Sequence, residues 1–189
     1  FELEGTSLQI KNKFGVVLWS WSVHPNVSKY LSNQELRTRI RIIDIDGDGV
    51  NEIISSGDLI EYSNFKVFFS LFCYNHKKEV LWNFSFSDTV SSPKEKNIPA
   101  EYGYHVYDTV TFKGIRSSLA FSNSSPTYPA ALYFLDLKTG KRIGPTLWNA
   151  GFIYQIAMVD VNNDQRDDLV FLASDNGCGN QKIVAVEFP

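Results

Sequence analysis

The chain has 189 residues, of which 43% are apolar, 21% charged and 14% aromatic, with a formal net charge of −3. That balance belongs to a core-forming globular chain and excludes a disordered polymer; no apolar run approaches the roughly 20 residues of a membrane-spanning helix. Its basic segments, Lys77-Lys78 and the run from Lys138 to Arg142, are too short for the broad positive stripe of a nucleic-acid surface.

In chain order, short β-branched and aromatic runs predict strands at 7–11 and 15–23, with a short helical turn between Val27 and Leu36. Strands follow at 37–44, 52–57, 65–74 and 79–86. The stretch Ser87 to Glu101 is polar, carries Pro93 and Pro99 and lacks an apolar period, so it reads as a loop. Further strands are expected at 103–112, 115–122, 130–137 and 142–149, then at 153–160, 168–174 and 181–188. No composition shift marks a linker, so residues 1–189 are expected to form a single domain.

Two connections between these strands carry the chemistry. Asp44-Ile45-Asp46-Gly47-Asp48-Gly49-Val50-Asn51-Glu52 sets carboxylates at positions one, three, five and nine. Asp160-Val161-Asn162-Asn163-Asp164-Gln165-Arg166-Asp167-Asp168 repeats the layout with oxygen-bearing side chains at the same positions. Hard divalent cations take six to eight oxygen ligands, and alternate residues of a curled loop can aim them at one point. Position seven, Val50 or Arg166, can offer only its backbone carbonyl. An EF-hand is excluded, because position twelve is Ser55 or Phe171 rather than Glu and the flanks read as strands. The blander alternative is an Asx-rich turn whose side chains cap their own backbone.

A strand, Asp-x-Asp-x-Asp-Gly-x-x-(Asp/Glu) and a second strand resemble the FG-GAP/VCBS repeat of integrin-α-like β-propellers. The resemblance implies an all-β fold of four-stranded antiparallel blades, with Ca²⁺ held in the loop between two strands. By that pattern Asp44, Asp46, Asp48 and Glu52 would be side-chain ligands, with the carbonyl of Val50. In the second copy Asp160, Asn162, Asp164 and Asp168 would serve, with the carbonyl of Arg166. That loop departs from the pattern in Asn162 and in Gln165, which stands where Gly is usual, and both changes suggest weaker binding. Seven of the twenty-one carboxylates occupy these ligand positions, and filling both sites with Ca²⁺ would move the formal charge from −3 to +1.

Leu-Trp recurs at Leu18-Trp19, Leu81-Trp82 and Leu147-Trp148, at intervals of 63 and 66 residues. These intervals exceed the roughly 40 to 50 residues of familiar propeller repeats, and loop insertions would explain the difference. The segments ending in Trp82 and Trp148 resemble the outer hairpins of quinoprotein-type propellers. Residues 1–23 would then end one blade, 37–86 and 103–149 form two full blades, and 153–189 start another. In the second full blade the loop is degenerate, since Asp108 to Gly114 retains one carboxylate. A ring needs about four to eight blades, so an incomplete propeller is expected: a segment of a larger propeller or an open arc of blades, with closure through a second copy of the chain as the alternative.

Nothing in the chain reads as a catalytic constellation. Gly-x-Ser-x-Gly, His-Glu-x-x-His and phosphate-cradling Gly loops do not occur, and His24, His76 and His105 lack metal spacing. Asp167 and Asp168 would face opposite ways in a strand, which argues against paired acid/base work. The expected function is a calcium-stabilised, non-catalytic binding or scaffold module for a protein or glycan. The alternative is part of a propeller enzyme such as a polysaccharide lyase or quinoprotein dehydrogenase. Weak strand-hairpin calcium sites suit an extracellular, periplasmic or cell-surface setting. The triplets Asn26-Val-Ser28, Asn83-Phe-Ser85 and Asn123-Ser-Ser125 fit the N-glycosylation pattern but decide nothing.

Overall fold

The computed structural model describes residues 1–23, 39–56, 70–91, 93, 98–99, 104–112, 115–122 and 129–187. The helical turn expected between Val27 and Leu36 lies outside these residues. Sixteen elements are described, all of them β-strands, and every pairing between them is antiparallel. The protein is therefore all-β. It divides into two compact units, residues 1–85 and 86–189.

In the first unit, β1 (Glu2–Glu4), β2 (Ser7–Lys11) and β3 (Val17–Ser22) form one sheet in sequence order. Strands β4 (Ile40–Ile43), β5 (Glu52–Ser56), β6 (Ser70–Tyr74) and β7 (Val80–Ser85) form a second, again in sequence order. Alternation places Leu8 and Ile10 of β2 on one face, where they meet Ile40, Ile53 and Tyr74 from the other sheet. Trp19 completes this core and donates its indole N–H to the carbonyl of His76 at 3.1 Å. A buried indole wants such a partner. Strand β5 is buried on both faces from Glu52 to Ser56, as expected of an interior strand.

The second unit holds β8 (Thr89–Val90) and β9 (Ile98–Pro99) as a two-stranded ribbon. It also holds a four-stranded sheet of β10 (Tyr104–Phe112), β11 (Ile115–Ser122), β12 (Ala130–Asp136) and β13 (Arg142–Asn149). Strands β14 (Ile153–Val159), β15 (Asp168–Asp175) and β16 (Asn180–Val186) form a third sheet. The ribbon corrects the reading of Ser87 to Glu101 as plain loop: two-residue strands are too short to show a period. Ala130, Leu132 and Phe134 of β12 pack on Ile153, Ile156, Leu169, Phe171 and Ala173 of the next sheet. The three Leu-Trp marks fall on β3, β7 and β13, each the last strand of its sheet. Trp19 and Trp82 are buried and Trp148 is half-buried.

The turns before the first two marks share one plan, and the third is a residue longer. Asn12 Oδ1 accepts the amides of Phe14 and Val16, and Asn75 Oδ1 accepts those of Lys77 and Glu79. Asp136 caps Thr139 in the third. Each turn carries one left-handed residue, Gly15, Lys78 or Gly140, which is the geometry of hairpins closed by a turn and a bulge.

Candidate metal centre

The first loop joins β4 to β5, and its strands close at the pair Ile43 and Glu52; the second joins β14 to β15 and closes at Val159 and Asp168. Both connections therefore have eight residues, with position nine as the first strand residue. Within them the side-chain hydrogen bonds match position by position. Position one accepts the amide of position four, Gly47 to Asp44 Oδ1 and Asn163 to Asp160 Oδ1, each at 2.6 Å. It also accepts the amide of position six, Gly49 to Asp44 Oδ2 at 3.0 Å and Gln165 to Asp160 Oδ2 at 2.8 Å.

Position three accepts from position five, Asp48 to Asp46 at 3.2 Å and Asp164 to Asn162 at 3.1 Å. Position five accepts from position seven, Val50 to Asp48 at 2.7 Å and Arg166 to Asp164 at 2.9 Å. Position nine reaches back to position two, Ile45 to Glu52 and Val161 to Asp168, both at 3.1 Å.

The backbone repeats as well. Positions four and six are left-handed in both loops, with φ of 87° at Gly47 and Gly49, 65° at Asn163 and 68° at Gln165. Glycine adopts this region freely and Asn tolerates it, whereas Gln at position six is strained.

Three carboxylates of the first loop converge. Asp44, Asp46 and Asp48 each offer an oxygen, and these oxygens lie within 4.8 Å of one another. The hydrogen bonds from the Gly47 and Gly49 amides hold the Asp44 carboxyl below its usual pKa and so keep it charged. Asp46 and Asp48 each spend one oxygen on a loop amide. Their other oxygen meets no hydrogen-bond donor among the described residues.

The Asx-turn reading and the metal reading are thus compatible, because capping uses only part of the acceptor capacity. All the donors are oxygens, so the set fits a hard cation better than zinc or copper. Val50 is exposed at position seven.

Glu52 lies outside the converging group. It is 5% exposed, and its counterpart Asp168 is 2% exposed. In the second loop Asp160 is half-buried while Asn162, Asp164 and Arg166 are exposed. The Asn162 amide also donates to Asp164 at 3.4 Å. Asp167 is exposed beside buried Asp168, the opposite facing expected of neighbours in a strand. The third such hairpin, β10–β11, holds Asp108 within β10 opposite Leu119, next to a register shift; residues 113–114 lie outside the described residues.

No family model, curated protein or solved structure matches this chain.

Two features escaped sequence reasoning. Position nine was expected only as a ligand, and its bracing of the position-two amide was missed, because the burial of Glu52 and Asp168 is set by the neighbouring strands and leaves no mark in the sequence. A cleft beside Phe152 and Tyr154, at the other end of the β14–β15 hairpin, carried no motif. Cys73, buried, and Cys178, exposed, are both free thiols. Among the described residues no helix is long and apolar enough to cross a membrane.

Proposed function

We propose that the chain is a calcium-stabilised binding module of propeller type, of the FG-GAP/VCBS kind that its two Asp loops resemble. The observation that carries this reading is the convergence of Asp44, Asp46 and Asp48 within a loop whose hydrogen-bond frame recurs at Asp160 to Asp168. Asp44, Asp46 and Asp48 would hold the ion, with Glu52 and the Val50 carbonyl completing the set. The second site would use Asp160, Asn162, Asp164, Asp168 and the Arg166 carbonyl. Calcium supplies the positive charge that offsets the mutual repulsion of the carboxylates and fastens each loop to its hairpin.

The protein's own part is preorganisation. Backbone amides of positions four and six orient the position-one carboxylate, and the position-nine carboxylate fixes the loop's entry. Sites of this openness suit the roughly 10⁻⁴ to 10⁻³ M affinities of extracellular modules, which supports a secreted, periplasmic or cell-surface setting. The role we assign is recognition of a protein or glycan rather than catalysis.

Calorimetric titration with CaCl₂ tests the metal reading. The wild type should bind saturably, Asp46→Asn and Asp48→Asn should each weaken the tighter site, and Asn162→Asp should strengthen the weaker one. Absence of calcium binding at millimolar concentration would overturn the proposal.

A further inference from the structure

We propose that the cleft at the end of the β14–β15 hairpin remote from its Asp loop is a binding subsite for a neutral saccharide. The cleft has a volume of about 400 Å³ and is walled by Phe152, Tyr154, Ser174, Asp175, Asn176 and Gly179. That lies within the roughly 300 to 1,000 Å³ of small-ligand sites. Two of its lining side chains are aromatic. The Phe152 and Tyr154 rings lie 5.3 Å apart at 53°, and Tyr154 is 51% exposed. An exposed ring beside a cleft offers a flat apolar face, and the C–H face of a pyranose is the complementary flat, weakly apolar surface.

The lining offers both acceptors and a donor, as hydroxyl groups require. Asp175 accepts the Gly177 amide on Oδ1 at 2.9 Å and the Lys182 ammonium on Oδ2 at 3.2 Å, which leaves acceptor capacity on its carboxylate. The exposed Asn176 amide can donate and accept. Because Lys182 offsets Asp175, the rim has no net charge to select an ionic ligand, and a hydroxyl-rich neutral one fits it best.

The wall is built rather than incidental. Buried Asn149 donates its amide to the carbonyls of Gly151 at 2.7 Å and Ser174 at 3.1 Å, and the Phe152 amide donates to Ser174 Oγ at 2.8 Å. A Cβ at Gly151 would fall 2.5 Å from Ser174 Oγ and 2.8 Å from Asn176 Oδ1. Only glycine lets these segments approach so closely, and the approach fixes Ser174 and Asn176 beside the rings.

This inference narrows the binding-module reading, yet none of the cleft residues belongs to an Asp loop, so the two stand or fall separately. Saturation-transfer NMR of the full chain with maltose, cellobiose, lactose and chitobiose, and with glucuronic acid as a charged control, each at up to about 10 mM, tests it in calcium and in chelator; millimolar affinity is the weak end expected of such a site. At least one disaccharide should receive saturation on its ring C–H protons. Tyr154→Ala and Asn176→Ala should each weaken that binding about tenfold or more. Both replaced side chains are exposed, so both variants should stay folded; Asn176→Ala should melt with the wild type, and Tyr154→Ala should melt only slightly lower through loss of its ring pair with Phe152. Silence from all four sugars, binding unchanged in both variants, or a response only to a charged sugar such as glucuronic acid would overturn the assignment.

Discussion

Asp168 Oδ2 accepts the Val161 amide at 3.1 Å, as Glu52 Oε2 accepts the Ile45 amide at 3.1 Å. The two acids differ by a methylene, yet each is the buried first residue of its strand and reaches the second residue of its loop. Each therefore satisfies an amide that the curl of the loop takes out of the sheet ladder. The hairpins are shaped by their own hydrogen bonds, and a cation would add to a frame already set.

Calcium should raise the melting temperature relative to chelator. An ion that binds the folded state alone adds on the order of 2 to 3 kcal/mol at a hundredfold excess over Kd. Differential scanning calorimetry in CaCl₂ and in EGTA reads the shift. Asp48→Asn should remove most of it, and identical melts in the two buffers would count against occupancy.

Position six sets the contrast between the loops. Gln165 sits at φ 68°, where Gly49 sits at 87°. The left-handed region costs a non-glycine residue roughly 1 to 2 kcal/mol. Gln165→Gly should thus stabilise the second hairpin by about 1 kcal/mol, less the entropy of a freer unfolded chain, and tighten its calcium binding. Gly49→Ala should do the reverse. No atom stands within 4 Å of a Cβ there, so the loss would come from backbone strain alone. Urea titrations of both variants give the comparison.

How much of this was legible depended on the period of the signal. Strands β2 to β7 and β10 to β16 fall on the predicted runs, because β-branched and aromatic residues fill them and turn residues or the Asp loops mark their ends, whereas the three residues of β1 are too few to show a run. The loops were readable since capping and cation chemistry demand the same residues at the same spacing. Glu52 as a brace was not, because burial depends on the partner sheet; nor was the pairing of Phe152 and Tyr154, which rests on the Asn149, Gly151 and Ser174 contacts. The separation of residues 1–85 from 86–189 leaves no composition mark at Ser85-Phe86.

The two thiols should differ sharply in reactivity. Burial, then the nearby Glu52 charge, pushes the Cys73 thiol up to about 12, so almost no thiolate forms near neutrality. Cys178 is exposed. At pH 8 Ellman's reagent should label one thiol per native chain, and two in guanidinium. Raised in the folded state, Cys73 contributes stability that is complete below the ordinary thiol value of 9.0 and is lost as pH climbs towards 12. Rapid labelling of both thiols in the native state would refute this assignment.

Acid should act partly through Asp175. The Lys182 hydrogen bond, then the Gly177 amide, holds its carboxyl below the ordinary value of 3.8. A depressed carboxylate contributes stability that is present above that value and disappears as pH falls through the folded-state pKa. Asp175→Asn should therefore melt lower than wild type at pH 7, with the gap closing below about pH 3.8. A constant gap down to pH 2 would show that this titration contributes nothing.

Substitutions at Glu52 separate its two roles. Glu52→Gln keeps an oxygen able to accept the Ile45 amide but removes a charge from the loop. In chelator it should melt close to wild type, and it should lose part of the calcium-induced rise. Glu52→Ala deletes the acceptor and empties a buried site, so it should lose about 1 to 3 kcal/mol in both buffers from the unsatisfied amide. Thermal melts of the two variants, each in CaCl₂ and EGTA, provide four numbers for the comparison. If Gln and Ala fell equally in chelator, the hydrogen bond to Ile45 would not be what holds the loop's entry, and the carboxylate's burial alone would have to explain its place at the head of β5.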